Sequence, residues 1–139
     1  MTGREGKTRP ASVVDASAFL SKANEFLTAA HDSLSHKNYV ATTGNAVHAG
    51  IAAADAITAA RAGQVWKGEH SQSAGYLKST GGADGRRGAP HLERLIPLKN
   101  RAEYDPRPVS ATDAKAAVKA ASRLVEVADL AVAAVANRG

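Results

Sequence analysis

Apolar residues recur at steps of three and four along most of the chain, which is the spacing of one face of an α-helix. The first such stretch predicts a helix over residues 13–35, with Ser12 or Asp15 as the residue that caps its start. The second stretch begins after Asn38, a residue type that caps helices, and ends at a stop signal, Gly63. The first half of the chain therefore predicts two long amphipathic helices.

The longest regular pattern lies at the end of the chain. It begins at Ser110, with Asp113 three residues further on in an arrangement similar to a capping box, and continues to about residue 136. The second helix contains Gly44 and Gly50, and each destabilises a helix by about 1 kcal/mol relative to Ala. We therefore expect these glycines to allow a close contact between helices.

The helical pattern is lost between residues 64 and 90. A short helix is predicted over 71–78, and the Gly-rich composition of 79–90 predicts a flexible loop. Apolar residues over 91–101 predict a short third helix, which Pro97 limits or kinks. The middle of the chain is thus predicted to be its least regular part.

The composition favours an all-α fold. Aromatic residues make up only 4% of the 139 residues and alanine is abundant, whereas strands are usually rich in aromatic and β-branched residues. The length corresponds to one domain. Because alanine buries little area, a small core of this kind would gain stability by dimerising.

Charge and cysteine content restrict the class of protein further. The net charge is +5, and the surplus lies in residues 1–12, which predict a disordered basic tail, and in residues 61–109. The chain has no cysteine, which excludes disulfide scaffolds and thiolate metal sites. We find neither a long apolar run for a membrane span nor a signal peptide, and we therefore expect a cytoplasmic protein.

Three polar residues of the second helix share one strip of its surface. Asn45, His48 and Asp55 are three and seven residues apart, which places them beside the edge of the apolar stripe. They are candidates for a polar ligand site. The alternative is that they are buried polar groups that hold neighbouring helices together by hydrogen bonds.

The remaining histidines do not have a metal-ligand spacing. His70 and His91 flank the predicted loop, while His31 and His36 are five residues apart and lie on different faces of the first helix. We therefore predict no metal and no cofactor. The glycines of the loop do not lie between a strand and a helix, so they are not a nucleotide-binding fingerprint.

The segment that follows the third predicted helix offers donors for phosphate. Lys99, Asn100, Arg101 and Tyr104 lie within six residues, and a guanidinium and a phenol hydroxyl both bind phosphate oxygens. The structural alternative is that Arg101 pairs with Asp55 or Glu103, while Tyr104 packs over the helix junction.

The order of these features resembles the HEPN family, the nucleotide-binding domain found in higher eukaryotes and prokaryotes. The matching segments are residues 45–56 of the second helix, His70, residues 99–104 and the helix from Ser110 to Val127. The resemblance spans about residues 13–136 and is greatest for a stand-alone subfamily frequent in high-GC bacteria. It implies an up-and-down four-helix bundle that pairs as a homodimer.

The resemblance also implies an activity. Many HEPN proteins are metal-independent RNases that act as toxins or defence effectors, often beside a nucleotidyltransferase partner. Their signature is an Arg followed four to six residues later by a His. Arg101 fills the Arg position, but Asp105, Pro106 and Arg107 occupy the positions of the expected His. An Asp or Arg cannot simply replace a group that transfers protons near neutral pH.

Two functions therefore remain open. The first is an RNA-binding or RNA-cleaving HEPN-like protein, whose catalytic group would be His48 or His70 together with Arg101 and Tyr104. The second is a non-catalytic dimeric module that binds a protein partner or a small nucleotide. The predicted ligand-binding residues are Asn45, Asp55, Lys99 and Asn100.

Overall fold

The computed structural model of the chain describes residues 7–137. These residues form five α-helices and one two-stranded antiparallel ribbon, so the fold is all-helical apart from the ribbon. The helices are α1 (Val13–Ser35), α2 (Tyr39–Ala62), α3 (Ser73–Thr80), α4 (Gly82–Tyr104) and α5 (Ala111–Ala136). The strands are β1 (Thr8–Pro10) and β2 (Gln64–Trp66), and a 3₁₀ turn (His70–Gln72) precedes α3.

The ends of α1 and α2 follow the sequence signals closely. The hydroxyl of Ser12 accepts a hydrogen bond from the backbone N–H of Asp15 at 3.1 Å, and the Asp15 carboxylate accepts one from the N–H of Ser12 at 2.9 Å. This reciprocal capping box fixes the start of α1. Gly63 ends α2 in the left-handed conformation, with φ of 66°. Asn38 occupies the predicted cap position of α2, but its side chain makes no capping hydrogen bond.

The core is built around α2, which contacts α1, α4 and α5. Its buried residues are mostly alanines, and Ile57 is fully buried, whereas Val40 near the start of the helix is 51% exposed. At Gly50 the side chain of Leu95 from α4 lies so close that a Cβ would stand 2.5 Å from Cδ1 of that leucine. Gly50 therefore allows the predicted close approach of two helices, while a Cβ at Gly44 would meet no atom within 4 Å.

The prediction of a flexible loop over 79–90 is wrong. Apart from a break at Gly81, this stretch is helical, and α4 continues through Pro90 and Pro97 to Tyr104, where the sequence predicted only a short helix over 91–101. Small residues in this stretch are buried against α3 and α5, among them Gly85 and Gly88. Burial of a helix face thus outweighs the low helix propensity of glycine.

The predicted disordered tail is also partly wrong. Residues 1–6 lie outside the described residues, but Thr8–Pro10 form β1, whose residue Arg9 pairs with Val65 of β2. The backbone N–H of Ala11 then donates to the carbonyl of Gly63 at 2.9 Å. The ribbon therefore holds the segment before α1 across the end of α2.

Within residues 7–137, no helix combines the length and the apolar character that a bilayer crossing requires.

Candidate functional site

A cavity of about 300 Å³ lies beneath the ribbon, between the second half of α2 and α3. We call it the Asp55 cavity. Its apolar lining comes from several elements and includes Phe19, Ile51, Leu77 and Leu92. Its polar and remaining aromatic lining consists of Arg9, Asp55, Thr58, Trp66, Lys67, His70, Ser73 and Tyr76. Mostly apolar walls with a few convergent polar groups are typical of small-molecule sites.

Asp55 is the acidic side chain of this lining. Burial raises the pKa of its carboxyl from 3.8 to about 7, although the charges of Arg9 and Lys67 oppose this shift. Neither cation forms an ion pair with it within residues 7–137. Because a buried charge is costly unless it is paired, the carboxyl is well suited to receive donors from a ligand.

The ribbon brings cations to the cavity. Arg9 lies on β1, while Lys67 directly follows β2, and both side chains are exposed. The 3₁₀ turn contributes His70, whose carbonyl accepts a hydrogen bond from the Ser73 hydroxyl at 2.6 Å. Since Arg9 and Lys67 outnumber the single carboxyl, the rim of the cavity favours an anionic group.

Two aromatic side chains, which we call the aromatic wall, line the cavity and pack against each other. The ring centroids of Trp66 and Tyr76 are 5.1 Å apart, with the planes tilted by 33°. The indole N–H of Trp66 donates to the carbonyl of Glu69 at 2.9 Å, which fixes the ring. The ring lies directly over Gly68, where a Cβ would stand 2.5 Å from an indole carbon. Burial raises the pKa of Tyr76, and the nearby Asp55 charge adds to this rise.

The polar strip predicted on α2 does not form one site. Asp55 lines the cavity, but Asn45 and His48 do not. The exposed His48 packs instead against Phe26 of α1, with ring centroids 5.2 Å apart, and Asn45 is half-buried nearer the start of α2. An α-helix rises about 1.5 Å per residue, so positions 45 and 55 are about 15 Å apart along the helix axis. Side chains that point in the same direction at these positions are therefore still too far apart to share one site.

The residues near the end of α4 lie outside the cavity as well. Lys99 pairs with Glu103 at 3.3 Å, and the guanidinium of Arg101 pairs with Asp113 at 3.1 Å. The alternative partners suggested for Arg101, Asp55 and Glu103, are therefore wrong. Tyr104 is 74% exposed, so it does not pack over the helix junction.

The turn between α4 and α5 is organised by other contacts. Asn100 is exposed and does not line the cavity. Asp105 accepts hydrogen bonds from the Arg107 guanidinium, at 2.7 Å for the shortest, and from the Arg107 backbone N–H. These bonds lower the pKa of Asp105 to about 2. Ser110 accepts from the N–H of Asp113 at 3.0 Å and thereby caps α5. An ionised, paired carboxylate cannot take the proton-transfer role of a histidine.

Of the eight residues proposed from the sequence, the cavity brings together Asp55 and His70. Sequence reasoning missed Arg9, Trp66, Lys67 and Tyr76 as site residues. Arg9 falls in the segment predicted as a disordered tail, and Tyr76 falls in the short helix predicted over 71–78. The one available signal was Trp66, the single tryptophan of a chain that is poor in aromatic residues.

Within residues 7–137, no group of three or more His, Asp or Glu side chains is placed to hold a metal ion. No protein-family model matches this chain, and a search of curated proteins gives no significant match.

Proposed function

We propose that this chain is a binding protein for a small anionic ligand with a planar ring, of the nucleotide class, held in the Asp55 cavity. One observation carries the proposal: an unpaired, largely buried carboxyl, an aromatic wall and two cations face the same 300 Å³ space. The volume is at the lower end of the range for small-molecule sites, which suits one ring system.

Each part of the ligand has a counterpart in the lining. A planar ring stacks on the wall that Trp66 and Tyr76 form. Ring N–H groups donate to Asp55, which otherwise has no ion-pair partner among residues 7–137. A phosphate group lies toward Arg9 and Lys67, where charge-assisted hydrogen bonds form.

The geometry favours ligand binding over RNA cleavage. The suggested catalytic group needs His48 or His70 beside Arg101 and Tyr104, whereas His70 lines the Asp55 cavity and the other three residues do not. Arg101 is held by Asp113 at the start of α5. Purified protein incubated with labelled RNA in the absence of metal is therefore expected to leave the RNA intact.

We retain the HEPN-like up-and-down four-helix bundle and the cytoplasmic homodimer as proposals. In support, α1, α2, α4 and α5 are 23 to 26 residues long, and α2 contacts the other three. Light scattering coupled to size-exclusion chromatography tests the dimer. Co-purification tests a nucleotidyltransferase partner.

Fluorescence provides a direct test of the ligand site, because the only tryptophan of the chain lines the cavity. Titration with nucleoside monophosphates is expected to change the Trp66 emission, and calorimetry on the same samples gives the affinity. Nucleosides, which lack phosphate, and ribose 5-phosphate, which lacks a ring, are expected to bind more weakly.

Charge variants make the test specific. Arg9→Ala and Lys67→Ala are expected to weaken nucleotide binding about tenfold each and to reduce its salt dependence, since each removes a charge-assisted contact. Lys119→Ala, an exposed cation on α5, is the matched control. The proposal is wrong if no nucleotide binds, or if the control and the cavity variants behave alike.

A further inference from the structure

The acceptor pattern of the cavity defines the kind of ring that fits it. Asp55 is the one carboxyl of the lining, and an ionised carboxylate has two acceptor oxygens and no donor. Its best neutral counterpart is a ring edge with two N–H donors side by side. Guanine has such an edge, formed by N1–H and the 2-amino group.

The other purines fit less well. Hypoxanthine keeps N1–H but lacks the amino group, so one carboxylate oxygen loses its donor. Adenine places the lone pair of N1 beside its amino group, and this lone pair faces an oxygen of the carboxylate. Adenine is matched by a protonated carboxyl, and since burial raises the pKa of Asp55 to about 7, this match is lost as the carboxyl ionises above that pH.

A cationic ligand would offer two donors as well, but it is excluded by charge. Arg9 and Lys67 give the rim an excess of positive charge, and His70 adds no negative charge. The ligand therefore combines a neutral donor edge with an anionic tail.

We propose that the Asp55 cavity selects guanine nucleotides, with the carboxylate of Asp55 accepting from N1–H and from the 2-amino group. This inference rests on the proposed function, since it names the ring that the same site takes. The aromatic wall of Trp66 and Tyr76 provides stacking area, and Asp55 provides the discrimination between rings.

The first experiment compares GMP, IMP and AMP on the full chain by Trp66 fluorescence and calorimetry. GMP is expected to bind at least about tenfold more tightly than IMP, because IMP lacks one hydrogen bond to a charged acceptor. AMP is expected to bind more weakly than IMP at pH 8, where more of the carboxyl is ionised.

The second experiment changes the hydrogen-bonding groups that the side chain at position 55 presents to the ring. Asp55→Asn replaces one acceptor by an amide donor, so the side chain then offers one acceptor and one donor. Xanthine has the matching edge, N1–H beside the O2 carbonyl. The variant is expected to lose GMP binding by at least about tenfold and to bind XMP more tightly than the unaltered protein does. Asp129→Asn, on the exposed face of α5, should leave both affinities unchanged.

The outcomes separate this inference from the proposed function. At pH 8, equal affinity for GMP, IMP and AMP, or a preference for AMP, overturns guanine selection and leaves nucleotide binding intact. A folded Asp55→Asn protein that does not gain XMP binding also overturns it. Failure of every nucleotide to bind overturns both proposals.

Discussion

Asp84, in the first turn of α4, accepts two hydrogen bonds from the guanidinium of Arg61 in the last turn of α2, at 2.9 Å from Nε and 2.6 Å from Nη2. The Asp84 side chain is only 5% exposed, and Arg87 pairs with its other oxygen. This contact ties the start of α4 to the end of α2, in a stretch whose composition predicts a loop.

Removal of this pairing should weaken the fold. Asp84→Ala leaves the Arg61 guanidinium without its partner and is expected to lower the free energy of unfolding by about 2 to 4 kcal/mol. Urea denaturation measures this value. Glu103→Ala, which breaks the more exposed pair with Lys99, should change it by less than about 1 kcal/mol. Equal effects of the two variants would contradict a structural role for Asp84.

Stability should depend on pH through Asp55. Its pKa is about 7 in the folded chain, whereas an unperturbed aspartate has a pKa of 3.8, so between these values the folded state holds more protons than the unfolded state. The free energy of unfolding therefore falls as pH rises from about 4 to about 7, and this contribution then stays constant.

The variant Asp55→Asn removes the titration. The gain in the free energy of unfolding that Asp55→Asn produces is expected to be about 2 to 4 kcal/mol larger at pH 8 than at pH 4. Urea denaturation at both pH values measures it. Asp129→Asn on α5 is the control for a general charge effect. A stabilisation by Asp55→Asn that is the same at both pH values would show that the carboxyl does not titrate in this range.

Two glycines of α2 should respond in opposite ways to the same change. Gly50→Ala brings a Cβ to 2.5 Å from Cδ1 of Leu95 and is expected to destabilise the protein by about 1 to 3 kcal/mol. Gly44→Ala meets no atom within 4 Å and is expected to stabilise it by about 0.5 to 1 kcal/mol. Thermal unfolding of the two variants gives the signs, and a stabilised Gly50→Ala protein would disprove the close contact with α4.

A second pair of glycines tests the aromatic wall. Gly68→Ala places a Cβ against the Trp66 indole and is expected to shift the tryptophan emission and weaken nucleotide binding. Gly75→Ala, on the exposed side of α3, has nothing within 4 Å and should leave both unchanged. An unaltered emission spectrum in Gly68→Ala would mean that this glycine does not position the ring.

Helix ends and helix faces were predictable where the signal is local. Ser12 with Asp15, and Ser110 before α5, cap helices through bonds that span only three residues, so the sequence pattern contains all the partners. The prediction failed for α4, where Gly88 packs against Leu124 of α5, a contact that local sequence does not reveal.

The candidate site was predictable only in part. Asp55 and His70 were identified as polar residues of interest, and the structure places both beside one cavity. The connection of His48 and Arg101 to that site was not confirmed, because each contacts another part of the chain. Arg9 was missed, since its position depends on a strand pairing between segments more than fifty residues apart.

The amino-acid order by itself determined an all-helical chain, the bounds of α1 and the stop of α2, because helix periodicity and capping depend on neighbours a few residues away. Tertiary structure alone decided that residues 82–90 are helical and that Arg9, Asp55 and Trp66 line one cavity. The physical reason is that burial and strand pairing join residues far apart in the chain, and their free energy outweighs local preference.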